Sequence, residues 1–270
     1  MEQVQKEIIA ALGVKPEIDV EEEIENRIKF LVQSLKETTA ECYVLGISGG
    51  VDSSVAGRLA QLAVQRRRQA INGGPASFIA VRLPYGEQHD EADAQAALDA
   101  IDPDWIETVN IKPATDATMD SFGVLASDGE IDFVKGNVKA RQRMVAQYMI
   151  AGFQKGLVIG TDHAAEALMG FYTKHGDGAC DLTPLAGLNK RQVRMLGTAL
   201  GLPDAVVNKV PTADLEGLKP GIPDEVALGV TYDQIDDFLE GKTIDPVAEA
   251  KIIRQYNITA HKRAMPFGPN

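Results

Sequence analysis

Apolar residues fall along this chain in two rhythms. Apolar-rich runs at residues 43–47, 77–84, 105–111 and 157–160 predict strands, and the first of these, Tyr43 to Ile47, is unbroken, as in a strand of a parallel sheet buried on both faces. Elsewhere apolar residues recur every three or four positions. That spacing predicts helices at 3–12, 19–36, 55–64, 88–101, 133–155, 189–200, 232–239 and 246–257, with a further helix beginning at Thr161. Ile24, Ile28, Leu31, Val32 and Leu35 form the apolar face of the second helix, and Val134, Val138, Met144, Val145, Tyr148 and Met149 that of the long helix 133–155. Asp19 is placed to cap the second helix, and Asp162 the one after the fourth strand. Segment 71–75 reads as a turn, and 171–186 and 203–230 as long loops rich in Gly, Pro and Asp. Strands alternating with helices predict an α/β fold, a parallel sheet with helices on both faces. No repeat or linker divides the chain, so a single domain over 1–270 is expected, with the helices of 1–36 used in packing or dimerisation.

The stretch that links the first strand to its helix carries the chemistry. Ser48-Gly49-Gly50-Val51-Asp52-Ser53-Ser54 is a small polar turn that opens a helix. Free N–H groups and the positive end of a helix dipole suit phosphate, and the two glycines let phosphate oxygens approach the backbone. Ser48, Ser53 and Ser54 add hydroxyl donors. Asp52 puts a carboxylate beside the phosphates, a place where Mg²⁺ is the usual bridge. The turn lacks the Gly-Lys-Ser/Thr of a Walker loop, whose Lys reaches the β/γ-phosphates.

Composition narrows the partners. The chain has 270 residues, 44% of them hydrophobic, which is enough for a substantial core. Its net charge of −12, with no basic block longer than Arg66-Arg67-Arg68, argues against nucleic acid. No apolar run reaches membrane-spanning length and no secretory leader is evident, so a soluble, cytoplasmic protein away from membranes is expected. The two cysteines form no CxxC pair and the four histidines show no metal-ligand spacing.

The turn resembles the pyrophosphate loop of the ATP pyrophosphatases, and further segments narrow the resemblance. These are Gly136-Asn137-Val138-Lys139-Ala140-Arg141, Gly160-Thr161-Asp162-His163-Ala164-Ala165-Glu166, Phe171-Tyr172-Thr173-Lys174-His175-Gly176-Asp177-Gly178, Leu188-Asn189-Lys190-Arg191, Val210-Pro211-Thr212-Ala213-Asp214 and His261-Lys262-Arg263. In this order, from about Val20 to Arg263, the chain resembles the ammonia-dependent NAD synthetases. The resemblance implies a Rossmann-like sheet of the adenine-nucleotide α-hydrolase type. It also implies that ATP adenylates the carboxylate of deamido-NAD and that ammonia then displaces AMP to give NAD, with pyrophosphate released. Carried over residue by residue, Gly46, Ile47, Ser48, Gly49, Gly50, Val51, Asp52 and Ser53 would hold ATP with Arg82, Thr161, Lys190 and Thr212. Asp52 and Glu166 would hold Mg²⁺. Phe133 and Phe171 would sandwich the nicotinate ring, Asn137 and Arg141 would hold the substrate, and Lys174, Asp181, His261 and Lys262 the rest of deamido-NAD. The family is a homodimer with deamido-NAD at the interface.

The residue types suit the chemistry. Adenylation joins a carboxylate to a polyanion, so positive charge is needed at the phosphorus, and Lys190 and Mg²⁺ fit that task. Asp177, between two glycines, is the candidate to take a proton from ammonium, although Asp-Gly is also a common turn. Standing alone, Phe133 and Phe171 would read as core, and Lys174, Lys190 and Lys262 as surface charge. Other readings are a GMP-synthetase-like or tRNA-thiolating pyrophosphatase, or an ATP-binding protein without catalysis. The first would want a glutaminase module and the second catalytic cysteines.

Overall fold

The computed structural model describes residues 2–70, 74–86, 91–123, 125–212, 217–218 and 221–268. The chain runs α1 (Glu2–Ala11), α2 (Val20–Thr38), β1 (Cys42–Gly46), α3 (Val51–Gln69), β2 (Ser77–Arg82), α4 (Glu91–Ile101), β3 (Trp105–Thr108), α5 (Lys112–Asp120), α6 (Asp128–Gln154) and β4 (Gly156–Val158). Then follow α7 (Ala164–Met169), α8 (Lys190–Ala199), α9 (Asp204–Val207), α10 (Asp224–Leu228), α11 (Tyr232–Leu239), α12 (Pro246–Ile258) and α13 (Ala260–Arg263).

The four strands pair in parallel in the order β3-β2-β1-β4. Side chains of β1 alternate between two layers, as the pleat requires. Tyr43 and Leu45 join Phe78 and Ala80 beneath α2, α3 and α8, while Cys42 and Val44 join Ile79, Val81 and Val158 beneath α6. Helices therefore cover both faces, as expected of a central parallel strand. A satellite core gathers α7, α11 and α12 with Ile8 of α1.

Element boundaries show where capping overrides the apolar pattern. Asp19 accepts the Glu22 N–H (2.8 Å) and caps α2, as expected. α3 starts at Val51, directly after the glycine turn, because Gly50 is its N-cap. α6 starts at Asp128 rather than 133, because Ser127 and Glu130 form a reciprocal capping box ahead of the apolar stripe. Asp162 is not a cap: α7 begins at Ala164 with His163 at the N-cap position, and 159–163 runs extended from β4. The predicted loop 203–230 contains α9 and α10, each preceded by a proline. α5 was not foreseen, since its sequence holds few apolar residues to mark a period. Residues 71–73 of the predicted turn, 88–90 of the predicted fourth helix and 213–216 and 219–220 of the long loop lie outside the described residues. Among the described residues, no helix is long and apolar enough to cross a membrane.

Candidate active site

Ligands of open α/β sheets meet the carboxyl ends of the strands, and here β1 and β4 bring four charged or titratable side chains together at that edge. Asp52 comes from the first turn of α3, His163 and Glu166 from the start of α7, and Lys190 from the first residue of α8. Lys190 Nζ donates to Asp52 Oδ2 at 2.7 Å, with the lysine side chain only 1% exposed. His163 Nε2 lies 3.5 Å from Asp52 Oδ1 and 3.7 Å from Glu166 Oε1.

Burial dominates the electrostatics, and neighbouring charges then divide the roles. Burial works against the ionised form of Asp52, but the Lys190 charge beside it holds its carboxyl below the usual range. Glu166 is pushed well up, by burial and then by Asp52. Lys190 loses hydration, yet Asp52 and Glu166 keep it charged, and Asp224 adds to their field. Burial pushes His163 down to about 3, so its imidazole is neutral. Asp162 rises to about 7 through burial and the nearby charges of Asp177 and Asp52.

The turn itself is braced from within. Gly49 has φ +83, and an added Cβ would sit 2.9 Å from the Ala94 backbone nitrogen, so only glycine fits there. The Ser48 and Ser53 hydroxyls lie 3.2 Å apart. Ser54, expected as a phosphate donor, is fully buried and donates to Gly50 O (2.7 Å), so it holds the turn instead. Ile47 and Val51 are core side chains whose contribution to a ligand is limited to the backbone. At the ends of the neighbouring strands, Arg82 is ion-paired with Glu91, and Thr161 is partly buried between β4 and α7. Thr212 forms an antiparallel bridge with Pro223.

A second group lies along α6, the 171–178 segment and α13. Thr173 Oγ donates to Asn137 Oδ1 (2.8 Å), and Arg141 donates to Lys174 O (3.3 Å). Lys174 Nζ donates to His261 O (2.6 Å), and Lys262 Nζ to Gly170 O and Tyr172 O (2.8 and 2.7 Å). Asp177 accepts the Thr173 N–H (3.0 Å), and burial raises its carboxyl. Thus Asn137, Arg141, Lys174, His261 and Lys262 lie in one group. Phe133 and Phe171 occupy different surroundings: Phe133 is exposed on α6, while Phe171 packs on the satellite core. Asp181 accepts the Val158 N–H (2.7 Å) and the Tyr148 hydroxyl (3.3 Å), so its carboxylate already supports the end of β4. His163 and Asp162 were missed as site residues. The i,i+3 spacing of His163 and Glu166 marks a shared face, but burial, which gives both residues their character, is a property of the fold.

The donor set fits a hard divalent cation. Asp52 and Glu166 supply carboxylate oxygens, Asp52 Oδ1 is buried without a hydrogen-bond partner among the described residues, and the Asp52, His163 and Glu166 donor atoms lie within 4.8 Å of one another.

The chain is similar to known proteins over nearly its whole length. A family model described as NAD synthase matches residues 23–266. The chain is 57% identical to an NH(3)-dependent NAD(+) synthetase of Exiguobacterium sibiricum, covering 98% of both chains. It is also 57% identical to the Streptomyces coelicolor protein of that name, covering 98% of this chain and 97% of the other. Among solved structures it resembles an NAD+ synthetase from Burkholderia pseudomallei, with TM-score 0.84, 50% identity and coverage of 97% and 96%. It also resembles an NMN synthetase from Francisella tularensis, with TM-score 0.80, 35% identity and coverage of 94% and 100%. With a glycine turn at the end of β1 and the buried Lys190–Asp52 pair beside it, and with matches over nearly its whole length, the chain belongs to the NAD synthase family.

Proposed function

We propose that this protein amidates deamido-NAD with free ammonia at the expense of ATP, through a NAD-adenylate, releasing AMP and pyrophosphate. One observation carries the reading: a phosphate-type turn without a Walker lysine faces a buried Lys190 that reaches it from another helix. Such a lysine supplies the charge that a carboxylate needs to attack the α-phosphate, and an ammonium in a water-poor site does so at little reorganisation cost. Asp52 and Glu166 would hold Mg²⁺, which when bound offsets the charge of the phosphates.

The chain's own residues then divide the work. The backbone of 46–53, with Arg82, Thr161 and Thr212, binds ATP. Asn137, Arg141, Phe133 and Phe171 orient the nicotinate end of the substrate, and Lys174, Asp181, His261 and Lys262 bind the rest. Asp177, its carboxyl raised by burial, takes a proton from ammonium and leaves ammonia free to attack. The reading treats 1–270 as one catalytic unit that works as a homodimer in the cytoplasm. The free state of Cys42 and Cys180 is consistent with a reducing setting.

The test is a product assay with ATP, Mg²⁺, deamido-NAD and ammonium chloride, with glutamine replacing ammonium in parallel. NAD, AMP and pyrophosphate are expected in equal amounts with ammonium, and little product with glutamine. A parallel tube with the nicotinate mononucleotide addresses the NMN synthetase likeness. Faster turnover of the mononucleotide would move the substrate assignment, and absence of pyrophosphate in all tubes would overturn the reading.

A further inference from the structure

Lys190 is held by more than Asp52. One face of α11 grips it at both ends. Tyr232, the first residue of that helix, lays its ring 5.0 Å from Lys190 Nζ. Asp236, four positions on, accepts the backbone N–H groups of Lys190 (3.0 Å) and Arg191 (2.7 Å). Residues four apart share a helix face, so the same surface fixes the lysine's main chain and faces its ammonium. Asp236 takes the first two N–H groups of α8 and the Asn189 side chain takes the third, that of Gln192 (2.8 Å), so that first turn already has partners for its amides.

Tyr232 is in turn held by α10. Its hydroxyl donates to Asp224 Oδ2 (3.1 Å) and its backbone N–H to Glu225 Oε1 (2.8 Å). Asp224 is tied to the strand-like segment before it: its N–H donates to Pro211 O (3.0 Å), next to the Thr212–Pro223 bridge. The centre of the relay is buried: Lys190 is 1% exposed, Tyr232 3% and Asp224 7%. A path of contacts therefore runs from the Pro211 carbonyl, through Asp224 and the Tyr232 ring, to Lys190 and Asp52. Buried polar links of this kind hold one arrangement when complete and lose it when one member is cut.

We propose that Tyr232 and Asp224 are positioning residues that act together to place the Lys190 ammonium for adenylation. Neither residue touches the reacting atoms in this account. The ring gives the ammonium a second favourable face, which lets it leave Asp52 for a phosphate without losing all its stabilisation. The hydroxyl–carboxylate bond fixes the angle of that ring, and the Asp224 main chain is in turn held by Pro211 O. The proposal rests on the reading of Lys190 as the group that stabilises adenylation.

The experiment is a double-mutant cycle between Tyr232→Phe and Asp224→Ala, read as pyrophosphate release in the adenylation half-reaction before ammonium is added. Tyr232→Phe keeps the ring and cuts the link to Asp224. It is expected to slow adenylation about fivefold, the worth of one buried hydrogen bond, with the KM for ammonium unchanged. In the Asp224→Ala background the same change is expected to cost less than about twofold, because the hydroxyl–carboxylate link is already cut. Asp224→Ala alone should slow adenylation at least as much as Tyr232→Phe. Equal effects of Tyr232→Phe in both backgrounds, or no effect in either, would overturn the coupling. A wild-type protein that releases no pyrophosphate would instead overturn the assignment of Lys190, so the two failures are distinguishable.

Discussion

Lys190 illustrates how much one residue's surroundings decide. In the sequence it is one cation after an asparagine; in the fold it is a buried ammonium whose anion is Asp52. Removing it leaves Asp52 and Glu166 facing each other without a cation, so Lys190→Met is expected to slow pyrophosphate release by about 10²–10³-fold. Asp177→Asn is expected to act on the other half-reaction, slowing amide formation while adenylation proceeds. Equal loss in both steps would refute the proton-acceptor role. Asp162 makes a separate prediction about stability. Its carboxyl is held up at about 7 by burial and by Asp177 and Asp52. Because the folded state binds this proton more tightly than the unfolded chain does, the contribution is complete below about pH 4, the ordinary carboxylate range, and is lost as pH rises through 7. Asp162→Asn, measured by urea unfolding with EDTA present, should therefore gain on the wild type between pH 4 and pH 8. The gain should reach about 2 kcal/mol after discounting for partial exposure. A constant difference across that range would count against the assignment. Asp52, Glu166 and Lys190 were legible in the chain because motif order names them. His163 and Asp162 were not, since a neutral imidazole and a raised carboxyl exist only after burial.

At the scale of elements, the strands and most helices could be read because apolar spacing is a local signal. The starts of α11 and α12 fall where the spacing put them, at Tyr232 and Pro246, but those of α6 and α3 could not be read that way. Ser127 and Glu130 begin α6 before its apolar stripe, and Gly50 begins α3 before Val55. Caps act through hydrogen bonds to orphan amides, which hydrophobic period does not report. The turn between β1 and α3 provides the test at this scale. Gly49 is left-handed and closely backed by the main chain of α4, whereas Gly50 has an ordinary φ of −85. A Cβ on Gly50 meets only Ser48 Oγ, at 3.5 Å. Gly49→Ala is therefore expected to cost about 2 kcal/mol of stability and to raise the KM for ATP. Gly50→Ala should cost less than half as much in denaturant unfolding. Similar losses for both would mean that the turn's geometry is set by something other than the approach of α4.

On the scale of the whole molecule, α6 leaves an apolar seam uncovered. Val134, Val145, Met149 and Phe153 are exposed by 51%, 54%, 49% and 83%, the last three at intervals of four residues along one face. Phe30 on α2 is exposed as well. A contiguous apolar stripe of this kind marks a surface that another protein covers, and a second copy of the chain is the proposed occupant. The expected mass by light scattering is about 58 kDa, twice 29.1 kDa. Met149→Glu with Val145→Glu should shift it to the monomer, because it puts charged carboxylates into an apolar interface. The charge of the chain adds a condition. Two bodies of charge −12 repel, and added salt screens that repulsion over about 10 Å at 0.1 M while leaving apolar burial intact. Association of the wild type should therefore tighten as salt rises from low ionic strength, opposite to the behaviour of an interface held by ion pairs. The residues proposed to hold the nicotinate end of the substrate, Asn137 and Arg141, lie on this same helix. Dissociation by the Glu substitutions should therefore raise the KM for deamido-NAD more than that for ATP, whose turn lies at the edge of the sheet. A monomeric variant with both KM values unchanged would separate assembly from substrate binding and restrict the seam to a structural role.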